Sequence, residues 1–340
     1  MKSTITMQDI ADALQISRNT VSKAFNNQPL PEKTKRRILN KAIEMGYKNL
    51  DIVSKRETVL HNKNILILTI NDIQNLNFFL SVLRGIESIV NKYNLNLLQY
   101  QFDSLQKIVD FKSYVANNTI SGILCLETFN RKYIRYILEL GIPVVFLDTS
   151  VDGIDNIGNY DIVLMENHNS VKKVVKQVIR STDIKSAGFV GDFEHCLSFH
   201  ERFVGFREAL FESNIPYSPS FSITEPDEFP YGDPKELVEI LQRMKAIPDL
   251  FVCANDFLAI SLINALEMIH IRVPHDVQVI GFDNTADARN YRIPLSTIDV
   301  DKEILGTESI AALMNRIKYQ EDRNRIIHLK TTPVYRDSTI

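Results

Sequence analysis

The chain has only three cysteines in 340 residues, Cys125, Cys196 and Cys253. An odd number at such spacing makes no disulfide framework; it reads as buried thiols of a reducing compartment. Long apolar runs are missing as well. None approaches the roughly 18 residues of a membrane span, and no apolar stretch of the secretory kind opens the chain. A cytoplasmic location is therefore expected. Phosphate and nucleophile loops are also lacking: there is no P-loop, no Gly-x-Gly-x-x-Gly and no Gly-x-Ser-x-Gly, which leaves an enzyme of the kinase or dehydrogenase type without machinery. His195, His200 and Glu201 are too poorly spaced for one helical face and lack a third ligand, so no metal is expected. No cofactor is expected either.

An overall basic excess is absent too, since the net charge is −3. The charge is unevenly spread. Residues 1–60 carry 11 Lys/Arg against 6 Asp/Glu, and the remaining 280 carry 28 against 36. A basic head on an acidic body points to phosphate contact at one end only.

That head has a recognisable pattern. Thr6 is placed to cap a first helix in which Ile10, Ala13 and Leu14 share a face. Gln15-Ile16-Ser17 forms a short turn, and Ser17 caps a second helix whose Val21, Ala24 and Phe25 point inward. Arg18, Asn19, Ser22 and Lys23 remain outside, at the end that would enter a major groove. A third helix, 31–45, contributes Leu39, Ala42 and Ile43 to a small core and ends at Gly46-Tyr47. Residues 48–62 have no strong period and read as a linker.

From Lys63 the pattern alternates. Expected strands are 65–70, 95–100, 122–126 and 144–147 in a first series, then 187–190, 220–223, 250–254 and 277–281 in a second. Helices separate them. Each series reads as one doubly wound α/β half with right-handed crossovers, and two halves in tandem imply a ligand cleft between lobes.

These residues resemble the lactose-repressor (LacI/GalR) family of bacterial transcription regulators. The likeness runs through Thr6-Met7-Gln8-Asp9-Ile10-Ala11 and Thr20-Val21-Ser22-Lys23 in the head. It continues in Arg84-Gly85-Ile86-Glu87, in Arg202-Phe203-Val204-Gly205-Phe206-Arg207-Glu208-Ala209-Leu210 and in Cys253-Ala254-Asn255-Asp256. Val279-Ile280-Gly281-Phe282-Asp283, Pro294-Leu295-Ser296-Thr297-Ile298 and Arg336-Asp337-Ser338-Thr339 complete it. The resemblance implies an α/β fold class: an N-terminal three-helix helix-turn-helix head plus a bilobed, periplasmic-binding-protein-like body of two doubly wound parallel sheets. The implied domains are a DNA-binding head at 1–47, a hinge at 48–62 and an effector-binding and dimerisation body at 63–340. Lobe 1 would take about 63–160 and 291–325, and lobe 2 about 161–290 and 326–340. The chain would cross between lobes near 159–162, 286–291 and 325–329.

The implied function is a homodimeric repressor that binds a pseudo-palindromic operator and answers to a carbohydrate effector in the cleft. Arg18 and Asn19 are the expected base readers, by bidentate bonds to guanine and adenine. Thr6, Ser17, Thr20, Ser22, Lys23 and Asn26 are expected at phosphates and caps. Arg56 falls where the family has an apolar minor-groove wedge, which implies weaker bending of the duplex. Asp72, Phe79, Asp148, Arg202, Asn255 and Asp283 are the expected cleft residues, since carboxylates, an amide and a guanidinium suit sugar hydroxyls. The chain has no tryptophan, so Phe229 or Tyr231 would supply the aromatic wall. A purine effector is the alternative; the purine branch has an arginine six residues before the equivalent of Arg202, where Cys196 stands here. A phosphosugar is another, with Arg131, Lys132 and His195 as phosphate partners. A solute-binding protein would need a secretory leader and no head. With no heptad tail after Thr339, a coiled-coil tetramer is not expected.

Overall fold

The computed structural model describes residues 5–25, 28, 30–45, 47, 63–70, 76–102, 108–151, 154, 158–319 and 323–340. The chain forms two compact units, Met1–Lys63 and Asn64–Ile340.

The first unit holds α1 (Met7–Leu14), α2 (Arg18–Phe25) and α3 (Glu32–Glu44). Thr6 and Asp9 make a reciprocal capping box, with the Thr6 N–H donating to Asp9 Oδ2 at 2.6 Å and the Asp9 N–H to Thr6 Oγ1 at 3.3 Å. Gln15 ends α1 in the left-handed region, φ 55°. Ser17 Oγ accepts the Thr20 N–H at 3.1 Å and starts α2. The core is Ile10, Ala11, Leu14, Val21, Ala24, Phe25, Ile38, Ala42 and Tyr47, with Phe25 and Tyr47 stacked at 5.3 Å. Ala11, not the expected Ala13, joins Ile10 and Leu14; Ala13 is exposed. The 7, 10, 11, 14 stripe faces the core, and Ala13 falls outside it.

The second unit opens with β1 (Asn64–Ile70), α4 (Leu76–Tyr93), β2 (Asn96–Phe102), α5 (Ile108–Asn117), β3 (Ile120–Leu126), α6 (Arg131–Leu138), β4 (Val144–Leu147) and β5 (Tyr160–Met165). Then follow α7 (His168–Ser181), β6 (Ala187–Val190), α8 (Leu197–Glu212), α9 (Pro234–Arg243), β7 (Leu250–Cys253), α10 (Asp256–Met268) and β8 (Gln278–Ile280). The chain closes with α11 (Ala286–Asn290), β9 (Thr297–Asp299), α12 (Lys302–Tyr319), β10 (Arg325–Leu329) and β11 (Thr332–Val334).

The first sheet has the order β10-β5-β4-β3-β1-β2 and is parallel throughout. Ile65, Leu66, Ile67 and Leu68 are all buried, as a strand covered on both faces requires. The second sheet is β6-β7-β8, also parallel. β9 pairs antiparallel with β11 and joins the second sheet through bridges at Ile280–Ser296 and Asp283–Asp299.

Two expectations change. The strand expected at 220–223 is instead a 3-10 turn, Pro219–Phe221, with one bridge from Ile223 to Val190; Pro219 fixes φ and has no N–H for a ladder. The middle lobe crossing falls after Asp299 rather than at 286–291, which is α11, because Ser296–Asp299 still bridges the second sheet. The other two crossing segments, β5 and β10, are paired strands of the first sheet.

Two glycines set the packing beside the first sheet. A Cβ at Gly85 of α4 would lie 2.0 Å from the Glu303 carbonyl oxygen, and one at Gly306 of α12 would lie 2.0 Å from that of Val82. The two helices therefore cross in backbone contact. Near β5, buried Asp161 takes both Arg316 (2.5 Å) and Arg325 (2.8 Å), so its charge is compensated where the chain leaves the first lobe.

Candidate functional site

In the first unit, the exposed residues at the start of α2 are Arg18 and Asn19. Ser22 and Lys23 are half-buried beside them. The hydroxyls of Thr6, Ser17 and Thr20 are engaged in capping, with Ser17 Oγ and Thr20 Oγ1 2.8 Å apart. Asn26, Arg56 and the hinge at 48–62 lie outside the described residues. Arg37 donates to the Leu14 carbonyl at 3.4 Å and ties α3 to the end of α1.

In the second unit a cavity of about 790 Å³ lies between the two sheets' carboxyl ends. Phe79, Asp148, Arg202, Phe229, Asn255 and Asp283 all line it, and so does Tyr231. Asp72 lies outside the described residues. Arg131 and Lys132 are exposed on α6 and are not part of the lining. Open parallel sheets bind ligands beyond the carboxyl ends of their strands, and the side chains come from those ends. β1 delivers Thr69, β3 Glu127, β4 Asp148, β6 Asp192, β7 Asn255 and β8 Asp283.

Several of these positions need unusual backbone. Glu127, Asp148 and Asp283 have φ of 51°, 64° and 103°. Each is a non-glycine residue in a sparsely populated region, and such residues concentrate at binding sites. The turn swings each carboxylate out of its strand and into the cavity.

Lobe 2 contributes a finished hydrogen-bond network. Arg202, 3% exposed, donates from Nε to Asn167 Oδ1 at 2.9 Å and from Nη1 to the Ala254 carbonyl at 2.6 Å. Its guanidinium carbon lies 3.6 Å from the Phe282 ring centroid, a stacked arrangement that suits arginine. Nη2 is left facing Asp283 Oδ1 at 3.9 Å. Asn167 passes the network on to Glu201 at 2.8 Å, and Glu201 meets His328 of β10 at 3.1 Å. Asn255 Oδ1 caps α10 through the Leu258 N–H at 2.9 Å, which leaves its amide NH₂ for the cavity. Tyr231 is pinned by a hydroxyl bond to the Glu225 carbonyl at 2.7 Å.

Lobe 1 is built differently. Asp148 Oδ1 accepts the Thr149 N–H at 2.8 Å and, across the cleft, the Ser198 N–H of α8 at 3.2 Å. Cys196 makes no side-chain cap for α8, so a carboxylate of one lobe caps a helix of the other. Burial raises the Asp148 carboxyl above its ordinary range despite those bonds and Arg202. Asp283 is also raised, by burial, against the pull of Arg202 and Lys302. Glu127 is not among the expected residues. Its side chain keeps accessible surface toward the cavity, yet the crowding of protein around it pushes its carboxyl up to about 7, with Asp148, Asp283 and Asp227 adding to the shift. Cys196, where the purine branch has arginine, lines the cavity as a buried thiol, pushed up by burial and by Asp148.

A helix-turn-helix unit followed by two parallel sheets with a polar and aromatic cavity at their shared mouth defines a DNA-binding regulator with a ligand-binding body. The match to a periplasmic binding protein-like domain covers residues 179–339. A probable HTH-type transcriptional repressor, ExuR of Bacillus subtilis, is 27% identical over 344 residues, covering 98% of each chain. Two solved structures share the fold: a CelR–cellobiose complex, TM-score 0.72 at 20% identity over 98% of this chain and 99% of that one, and a lac repressor dimer bound to operator and an anti-inducer, TM-score 0.68 at 18% identity over 99% and 100%. Over 98% of its length the chain is therefore similar to HTH-type transcriptional repressors, and over its second half to the periplasmic binding protein-like domain. Among the described residues, no helix is long and apolar enough to cross a membrane.

Proposed function

We propose that this regulator is a cytoplasmic repressor whose grip on a pseudo-palindromic operator is set by a sugar or sugar derivative in the cavity. The observation that carries the effector reading is the lining. Carboxylates, one guanidinium and one free amide group stand at fixed positions among the rings of Phe78, Phe79, Phe129, Phe199, Phe229, Tyr231 and Phe257. Hydroxyl-rich rings need directional donors and acceptors at their edges and flat apolar surface at their faces. A volume of about 790 Å³ is in the range of small-molecule pockets and leaves room for more than one ring. The cellobiose seen in the CelR structure supports the same reading.

On the DNA side, Arg18 and Asn19 read bases from the first turn of α2, and Lys23 with the capping hydroxyls sets register on phosphates. A dimer presents two heads, one per half-site, as in the operator-bound lac repressor. Ligand binding at the mouth of both sheets changes how the lobes meet, and that change is the coupling between the two sites. The test is selection of duplexes from a random pool by the full chain, followed by anisotropy titration with saccharides. A two-fold symmetric consensus whose affinity changes with a saccharide is the expected result. A chain with no duplex preference, or one that responds only to purines, overturns the reading.

A further inference from the structure

The charge inside the cavity is lopsided. Six carboxylates line it, those of Glu127, Asp148, Asp192, Asp227, Glu228 and Asp283, against the guanidinium of Arg202 and the imidazole of His195. The two basic groups are already engaged. Arg202 spends Nε and Nη1 on Asn167 and Ala254, and His195 sits 3.3 Å from Asp227. Asp192 is occupied too, accepting the N–H groups of Glu194 and Asp227 at 2.8 and 3.0 Å.

Glu127 and Asp283 are not satisfied in this way. Among the described residues no N–H or O–H donates to either carboxylate; the Asp283 carboxylate has Arg202 at 3.9 Å, and Lys302 donates to the Asp283 carbonyl instead. Asp283 is only 6% exposed. Beside Glu127 the arrangement repeats: Thr69 is the register partner of Leu126, so it stands next to Glu127 at the strand ends. Its hydroxyl is buried without a partner. Buried polar groups are ordinarily hydrogen-bonded, so Asp283 and Thr69 mark where a ligand supplies the missing partners, and Glu127, exposed beside Thr69, is an open acceptor next to them. Among the described residues no three metal-ligating side chains are grouped to hold a metal ion. A cavity of about 790 Å³ has room for those donors to be carried on an organic ligand.

We propose that the effector is a cationic sugar, a ring bearing a protonated amine, and that Glu127 receives the ammonium at the lobe 1 wall while Asp283 holds the opposite edge. This inference rests on the sugar reading above and sharpens it. An ammonium brings three donors and a positive charge, which match open acceptors on a wall of like-charged groups. Phe79 and Phe129 also line the cavity and add ring faces that attract a cation. An anionic ligand, a uronic acid or a sugar phosphate, would instead add charge to a cavity that already holds a surplus of it. A neutral hexose would add no charge against the repulsion from Asp148 and Asp283 that helps to raise the Glu127 carboxyl.

The test is calorimetric titration of the full chain with matched ligands: glucosamine, galactosamine and mannosamine, their N-acetyl derivatives, the parent hexoses and the corresponding hexuronates. At least one amine should bind about tenfold or more tightly than its parent hexose, as a charge-assisted bond in a partly dry site provides. N-acetylation should remove the advantage. In Glu127→Gln the amine-to-hexose ratio should collapse toward one, whatever hexose affinity the variant keeps; the wild-type ligand comparison stands even if that variant misfolds. Equal binding of amine and hexose, or preference for the hexuronate, overturns the cationic assignment and leaves the sugar reading intact. Binding of purines only overturns both, and no binding of any hexosamine overturns the cationic assignment.

Discussion

The two walls of the cavity come from equivalent places, the carboxyl ends of parallel strands, yet they are finished to different degrees. On the lobe 2 wall Arg202 is held on three sides by Asn167, Ala254 and the Phe282 ring. On the lobe 1 wall Thr69 and Glu127 have polar atoms with no partner among the described residues, and Asp148 reaches across to cap α8. One wall is largely completed by folding, with the Asp283 carboxylate left open beside Arg202 at 3.9 Å. The other is left with unmet acceptors that only a ligand, or the opposite lobe, can fill. A binding site that must alter lobe geometry needs this asymmetry, since a ligand shifts an equilibrium only through contacts that differ between states.

The largest effect should come from breaking the finished wall. Arg202→Ala strips the donor from Asn167 and Ala254 and removes the guanidinium that faces Asp283. A loss of roughly 3–5 kcal/mol is expected, the usual result of removing one partner from a buried ion pair, and urea unfolding of the full chain measures it. Arg202→Lys should recover only part, because a lysine cannot stack and fork in the same geometry.

Asp148→Ala comes next. It removes the α8 cap and one link between lobes, at a cost of about 1 kcal/mol, read from the same unfolding curves. Asp148→Asn keeps an acceptor for Ser198 and should cost less. If Ala and Asn behave alike, the bond across the cleft contributes nothing.

Stability against pH is a smaller and more diagnostic effect. Glu127 and Asp256 both have folded-state pKa values of about 7, above the ordinary 4.5 and 3.8, each chiefly through burial. Between those ordinary values and about 7 the folded protein holds protons that the unfolded chain has released. Stability should therefore fall as pH rises through that window and level off above it. Thermal melts of the ligand-free chain between pH 5.5 and 8.5 check the sign. Glu127→Gln should flatten part of the slope, and unchanged slopes would place Glu127 in a more watery setting than the cavity implies.

The finished wall was also the legible one. Arg202, Asn255 and Asp283 sit within long motif stretches, so resemblance placed them, and a helix or strand end then positioned them. Glu127 carries no motif. Its signal was its place, the first residue after a buried strand of an open parallel sheet, and that rule would have found it. Thr69 follows the same rule from within β1, one residue before its carboxyl end. In the head, Val21, Ala24 and Phe25 follow helical periodicity and were readable, whereas Ala13 lost to Ala11 because a small residue makes the hydrophobic face hard to centre. The strand expected at 220–223 failed because apolar alternation beside Pro219 fits a turn as well as a ladder.

The most direct measurement is operator affinity of the full chain, by anisotropy, with and without a saturating saccharide that binds it, in wild type and in Asp283→Asn. The account predicts a shift of about 5- to 150-fold in the wild type. In the variant, operator binding should be retained while the response to saccharide disappears. An undiminished response in Asp283→Asn, or no response of the wild type to a saccharide that binds it, would contradict control of DNA binding from this cavity.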